Sequence, residues 1–412
     1  MRRSIDLTSG NIENPDRLNF TGVLVAVYCM LIPLENVLTI IPGQSINRYL
    51  GILIIAWEVL NIVTYRKGII TLHSSIIPLL LFLLFAGVSV IWAPSTSKWL
   101  YYFSFLFNNL ILLVILLSRQ YSNKERKLID ILCALVGLYI AFAIIKSNGL
   151  SLTVYGRSTI EVNGSHVDQN NLALSLTIPL FCIIDFAKHL KKLRFMRIAL
   201  YISMLIIVYA ILFTGSRSGL LGLVFGCIGA FLVYSRKDWR KKLGLLLVFI
   251  GAYLLMLVAL NNLPGSLSER FTISNVLENG ASNRFDIWGN YWSVFKESSI
   301  FRIVFGYGYG NSYTIYAQKF GVLTAAHNDI LQILLDLGIV GVSLYFYMLF
   351  RAMKDALKKH SPISVSLLIA AFAGLCSMEM LIKKMFWIML FLAVIITPYT
   401  ETDEVRSTDE KK

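Results

Sequence analysis

The chain has 412 residues, of which 56% are hydrophobic and 15% charged, with a mean hydropathy of +0.67. A soluble globular domain carries about 25% charged residues, so this composition excludes one. The net charge of +14 is not a nucleic-acid footprint, because the basic residues gather in alternate loops between apolar runs, as membrane topology requires.

Apolar stretches long enough to cross roughly 30 Å of hydrocarbon recur along the chain, and only helices can satisfy their backbone in such runs. The expected spans are Phe20 to Ile41, Tyr49 to Tyr65, Ser75 to Ile91, Leu100 to Leu117, Leu128 to Ile145 and Asn171 to Ala187. They continue as Ile198 to Phe213, Ser218 to Tyr234, Leu243 to Leu260, Asp329 to Phe350, Ile363 to Met378 and Met385 to Thr397, twelve in all. The fold class is thus an all-α integral membrane protein with one long outer loop between helices nine and ten.

Loops holding Lys191, Lys192, Arg194, Arg236, Lys237 and Arg240 to Lys242 are placed inside, which makes both termini cytoplasmic. The start is charged and polar, and no small-residue cleavage site closes the first apolar run, so that span is expected to remain. The chain then divides into spans one to nine (1–260), an outer loop subdomain (261–328), spans ten to twelve (329–397) and a polar cytoplasmic tail (398–412). Cys29, Cys133, Cys182, Cys227 and Cys376 all fall inside spans at no metal-ligand or redox spacing, and they read as packing residues.

Two outer segments are large enough to build a site, Lys146 to Asn170 and Asn261 to Asn328. The second contains NRFDIWGNYWSVF, which sets Ile287, Trp288, Tyr291, Trp292 and Phe295 at helical spacing. This pattern fits a helix lying on the membrane surface, with the tryptophans as interface anchors. The following GYGYGNS is a turn-rich connector that lets backbone approach a ligand or another segment closely.

The topology leaves His166 and His327 on the outer side. His327 sits at the start of the tenth span, where Thr324 or Asn328 can cap the first turn and the positive end of the helix dipole favours a neutral imidazole. It reads either as a polar cap residue or as a proton acceptor. Arg217, in TGSRSG at the outer start of the eighth span, has no acid nearby in sequence, and Ser216 and the adjoining glycines offer backbone N–H groups. It is either a snorkelling arginine or a phosphate ligand. Arg284 can join it when the loop folds over, or can pair on the surface with Asp286 or Glu278. Because three helix starts bear Asn170, Arg217 and His327 on one face, these residues form a candidate constellation, with His166, Ser216, Asn328 and Asp329 as supporting positions. There is no Walker A loop, no G-x-S-x-G, no H-E-x-x-H and no close acidic pair outside, so no metal site and no cofactor is expected. Glu35, Glu58, Asp185 and Glu379 lie in or near spans, where a transporter places proton-relay groups.

TGSRSG, the later SNRFDIW, and AHNDILQILLDLGIVGVSLYF resemble the O-antigen ligase and O-antigen polymerase superfamily of bacterial membrane glycosyltransferases. The resemblance runs roughly from Val162 to Tyr345, and its most specific part is H-N-x-x-L-x-x-x-x-x-x-G at a helix start. It implies a GT-C-related fold in the bacterial cytoplasmic (inner) membrane and metal-free transfer of a glycan, on the outer side, from a polyprenyl (undecaprenyl) diphosphate carrier. The acceptor is a hydroxyl of a glycan or glycolipid, and membrane lipids are the remaining partners. Carried over by position, Arg217 and Arg284 hold the diphosphate and His327 stands beside the acceptor hydroxyl. Asp336 departs from the glutamate frequent in the family, and the lack of arginine-rich outer loops leans toward a ligase over a capsule or exopolysaccharide polymerase. The rival class is a polysaccharide flippase or other transporter, which shares the helix count but shows internal repeats and broken midplane helices.

Overall fold

The computed structural model describes residues 18–35, 44–65, 75–146, 165–190, 193–234, 280–358 and 361–395, with a few short pieces between them. Its helices are α1 (Phe20–Leu31), α2 (Ile46–Tyr65), α3 (Ile76–Val88), α4 (Thr96–Ser118), α5 (Asn123–Lys146), α6 (Gln169–Ser175), α7 (Thr177–His189), α8 (Arg194–Phe213) and α9 (Arg217–Tyr234). After them come α10 (Gly280–Lys296), α11 (Ile300–Phe305), α12 (Ser312–Phe320), α13 (Asp329–Lys358), α14 (Pro362–Leu375) and α15 (Lys384–Ile395). Six stretches are long and apolar enough to cross a membrane, at 46–64, 96–118, 123–146, 169–187, 194–213 and 329–358, and α1, α3, α9, α14 and α15 belong to shorter apolar helices. The protein is therefore a multi-pass membrane protein. The ninth expected span, 243–260, lies outside the described residues apart from Leu243, and the count of twelve goes untested with it.

Three expected spans differ in detail. The first helix ends near Leu34, and Thr39–Ile41 pairs instead with Gln44–Ser45 in a short antiparallel ribbon. Similar ribbons join Arg3–Ile5 to Ile70–Leu72 and Glu161–Val162 to Ser165–His166. The sixth span is divided at Leu176 into α6 and α7. The tenth runs on to Lys358 and breaks at Gly338, whose φ of 65° and ψ of −163° are far from helical. That break lies nine residues into α13, about 14 Å along its axis.

In the core, α9 lies along α14, and a Cβ on Gly226 would come within 3.2 Å of the Ser366 carbonyl. Small residues let two membrane helices approach this closely, and dispersion between them replaces a hydrophobic drive that lipid does not supply. Polar contacts between helix ends fall into two groups. At one end Asn19 meets Glu125, and Ser75 meets Asp355. At the other, Ser95 meets Asn311, Ser216 meets Asn170, Asn328 meets Cys376 and Lys384 meets Glu35. Helices that start at one end thus finish at the other, as alternate crossing demands.

Candidate active site

Amphipathic α10 carries Arg284 near its start and grips the backbone that leads to His327. Its Tyr291 and Val294 bury against Tyr316, Ala326 and Leu335, and Tyr291 stacks on Tyr316 at 4.9 Å. The Tyr291 hydroxyl donates to the Thr324 carbonyl at 2.8 Å, and Trp288 Nε1 donates to the Ala326 carbonyl at 2.9 Å. From the opposite side, Gln332 Oε1 accepts the Ala326 N–H at 3.1 Å. Trp288 is therefore a latch and not a surface anchor, while Trp292 stays on the surface, 44% exposed and stacked on Phe295.

Asn283, directly before Arg284, and His327 are the two non-glycine residues with positive φ among the described residues, at 61° and 48°. Asn and His tolerate this region better than most side chains, so the strain is modest, but both turns fall where a candidate side chain must be aimed. Asn328 caps α13, its Oδ1 accepting from Ile330 N at 2.9 Å and Leu331 N at 3.2 Å. This decides between the two expected caps in favour of Asn328.

GYGYGNS serves the broken helix. The kink at Gly338 frees the Leu335 and Asp336 carbonyls, which accept from Tyr307 N at 3.0 Å and Gly308 N at 2.7 Å. A Cβ on Gly338 would stand 2.3 Å from the Val304 carbonyl, so only glycine fits this crossing. The Asp336 carboxyl accepts the Ser312 N–H at 2.7 Å, which gives the residue a scaffolding role at the point where its sequence departs from the resemblance.

Asn170 and Ser216 join α6 to α9 through a 2.9 Å hydrogen bond from the serine hydroxyl to Asn170 Oδ1, and Ser216 Oγ also accepts the Gly219 N–H at 3.1 Å. Ser216 is fully buried, so it caps α9 and does not face a ligand. Asp329 is 1% exposed, and its carboxyl accepts from Tyr345 Oη at 3.1 Å, Met380 N at 2.9 Å and Leu381 N at 3.2 Å. It clasps the connection between α14 and α15 to the His327 turn. His166 lies in the ribbon opposite Glu161, and its side chain is outside the described residues.

Arg217 is the first residue of α9, and its charge acts on Arg284, so the folding of α10 brings the two guanidinium groups within electrostatic reach. Burial lowers the Arg284 pKa, the carboxylate of Asp168 opposes that shift and Arg217 adds to it. The His327 side chain is accessible, yet enough protein surrounds the ring for partial burial to lower its pKa below 6.5. The Arg284 guanidinium lowers it further, Asp168 opposes, and Lys383 adds a smaller lowering. His327 is therefore neutral near pH 7 and able to accept a proton. The side chains of Arg284 and His327 have no hydrogen-bond or ion-pair partner among the described residues. Of the two surface bridges expected for Arg284, the one to Asp286 is not made, and Glu278 lies outside the described residues.

Sequence reasoning missed Asp168 and Lys383. Asp168 caps α6 by accepting the Asn171 N–H at 2.9 Å, and its position in the outer segment before Asn170 was a usable signal. The four acids considered for a proton relay are all engaged. Glu35 pairs with Lys384, Glu58 accepts from Thr21, Glu379 accepts from Tyr313 at 2.6 Å, and Asp185 has a partner as well.

Fold and site together define a multi-pass membrane protein that gathers cations and a neutral histidine at one end of its helix bundle. A family model described as O-antigen ligase matches residues 202–346, a stretch that contains Arg217, Arg284 and His327. The resemblance to the O-antigen ligase and polymerase superfamily thus holds over that stretch, whereas the part from Val162 to residue 201 lies outside the match. That family is one of ligase- or polymerase-type membrane glycosyltransferases. No curated protein matches the chain.

Proposed function

We propose that the protein is a metal-independent glycosyltransferase of the cytoplasmic membrane that moves a glycan from a polyprenyl diphosphate carrier to an acceptor hydroxyl on the outer face. The observation that carries this reading is the convergence of Arg217, Arg284 and a neutral His327 on one end of the bundle. The bond from the anomeric carbon to the diphosphate oxygen breaks as the acceptor oxygen attacks that carbon. Polyprenyl diphosphate leaves with growing negative charge, and two fixed guanidinium groups stabilise that charge more in the transition state than in the ground state. The acceptor hydroxyl gives its proton to a His327 nitrogen, an assistance typically about 10² to 10⁴ in rate. A single displacement inverts the anomeric carbon. Residues 261–328 form the outer subdomain in this reading, and both termini are cytoplasmic.

The transporter reading draws on one observation, the helix broken at Gly338. In transporters such breaks expose carbonyls to a substrate cavity. Here the freed carbonyls are taken by Tyr307 and Gly308 N–H groups, so the break joins two segments of the scaffold. Within the transferase class, the size of the lipid-linked glycan in a deletion strain separates two activities. Long chains accumulating on the carrier indicate a ligase, and single repeat units indicate a polymerase. Normal transfer in the deletion strain contradicts both. Transfer should also survive EDTA. Loss in EDTA with recovery on adding magnesium refutes the metal-free chemistry.

A further inference from the structure

We propose that Lys383 is a third cationic contact for the diphosphate of the donor, delivered to the site by the Asp329 clasp. The inference rests on the transferase reading above and adds a residue from outside the matched stretch.

The connection between α14 and α15 is fixed on both sides of Lys383. Before it, Asp329 holds the Met380 and Leu381 N–H groups, and Asn328 Nδ2 donates to the Cys376 carbonyl at 3.3 Å. The Lys383 N–H closes a turn onto the Met380 carbonyl at 2.9 Å. After it, the Lys384 ammonium turns away to Glu35 and to Ser45 Oγ, the latter at 3.0 Å, and Trp387 Nε1 donates to the Leu381 carbonyl at 2.9 Å. Neighbouring lysines are thereby sorted, Lys384 into a buried pair and Lys383 toward the turn that carries His327. Lys383 is half-buried, and its ammonium has no hydrogen-bond or ion-pair partner among the described residues.

Its charge is felt by His327 on one side and by Glu379 on the other. No ion pair within 4.0 Å joins Lys383 to Glu379, whose Oε2 accepts from Tyr313 at 2.6 Å. A half-buried ammonium with no carboxylate in ion-pair range is stabilised by an anion arriving beside the His327 turn, and a diphosphate carries enough charge to engage it as well as the two guanidinium groups. Lysine suits a place where a leaving oxygen moves during the reaction, since it acts as a point charge on a flexible stem.

The test uses the purified full-length protein. Lys383→Gln should raise the donor KM about tenfold or more and weaken inhibition by inorganic diphosphate by a similar factor, while Lys383→Arg retains most of the affinity. The thermal midpoint should stay near that of the unaltered protein. In the unaltered protein, inorganic diphosphate should slow acylation of Lys383 by an amine reagent, which a folding defect in a variant cannot mimic. Unchanged KM and diphosphate inhibition in Lys383→Gln, or acylation indifferent to diphosphate, overturns the inference. Arg284→Lys measured alongside separates the two levels. If it raises KM while Lys383→Gln does not, only the role of Lys383 falls, and if neither does, the transferase reading falls with it.

Discussion

At the end of the bundle where Asn19, Arg119 and Glu125 meet, a carboxylate that is 1% exposed accepts from Arg119 Nη2 at 2.5 Å, Ser122 N at 2.9 Å and Asn19 N at 3.3 Å. At the opposite end the side chains of Arg284, His327 and Lys383 have no such partners among the described residues, although the backbone around them is pinned by Trp288, Tyr291, Gln332 and Asp329. One end pairs its buried carboxylate within the fold. The other sets Arg217 within reach of Arg284 and Lys383 within reach of His327 on a rigid frame, with Asp168 offsetting part of the charge, an arrangement that gains when an anion arrives. Functional sites are where such arrangements are retained.

The comparison can be broken first at its well-satisfied end. Glu125→Ala leaves an arginine and two half-buried backbone N–H groups without their acceptor, and should cost about 2–4 kcal/mol, read as a fall in thermal midpoint. Survival of the fold with little change would mean that this network is not the stabilising one. Next in size, Gly338→Ala places a Cβ against the Val304 carbonyl at positive φ and should cost about 1–3 kcal/mol from backbone strain before the clash is counted. Tyr291→Phe removes one hydrogen bond to the Thr324 carbonyl, about 1 kcal/mol, and should lower turnover by loosening His327. In contrast, Arg284→Gln should change the thermal midpoint little or raise it slightly while impairing transfer. A large loss of stability there would show that Arg284 is structural.

The smallest expected effect is on pH dependence. The acid limb of kcat/KM reports the His327 of the free protein, and partial burial together with Arg284 and Lys383 places that limb below pH 6.5. A nearby cation lowers an imidazole pKa, so Arg284→Gln should move the limb up, and Asp168→Asn, by removing an opposing carboxylate, should move it down. Movement in the reverse directions contradicts the assigned neighbours.

Hydropathy made most of the bundle legible, because a long apolar run has only the helix available to satisfy its backbone in lipid. It failed at Gly338, since DILQILLDLGIVGVSLYF reads as one continuous run and the N–H groups that permit its break come from residues 307 and 308. Arg217 and His327 were visible as polar residues at helix starts beside apolar sequence. Asp168 and Lys383 were not singled out, for a different reason. The bond that brings the 376–383 connection to the site joins residues 51 apart in sequence, and no local pattern announces it. The same holds for Trp288, whose periodicity marked an apolar face while its role depends on a carbonyl 38 residues away.

The central claim, that two guanidinium groups hold the leaving diphosphate while His327 takes the acceptor proton, is tested most directly by measuring donor binding and transfer together on purified variants. Lysine keeps charge but loses the two-pronged hydrogen bonding of arginine, so Arg217→Lys and Arg284→Lys should each reduce transfer by more than the 0 to about 1 kcal/mol that a surface salt bridge explains. Donor binding should weaken with it. His327→Ala should abolish transfer yet leave the lipid-linked donor bound. Near-normal turnover in all three variants would contradict the account and leave the cluster a structural one.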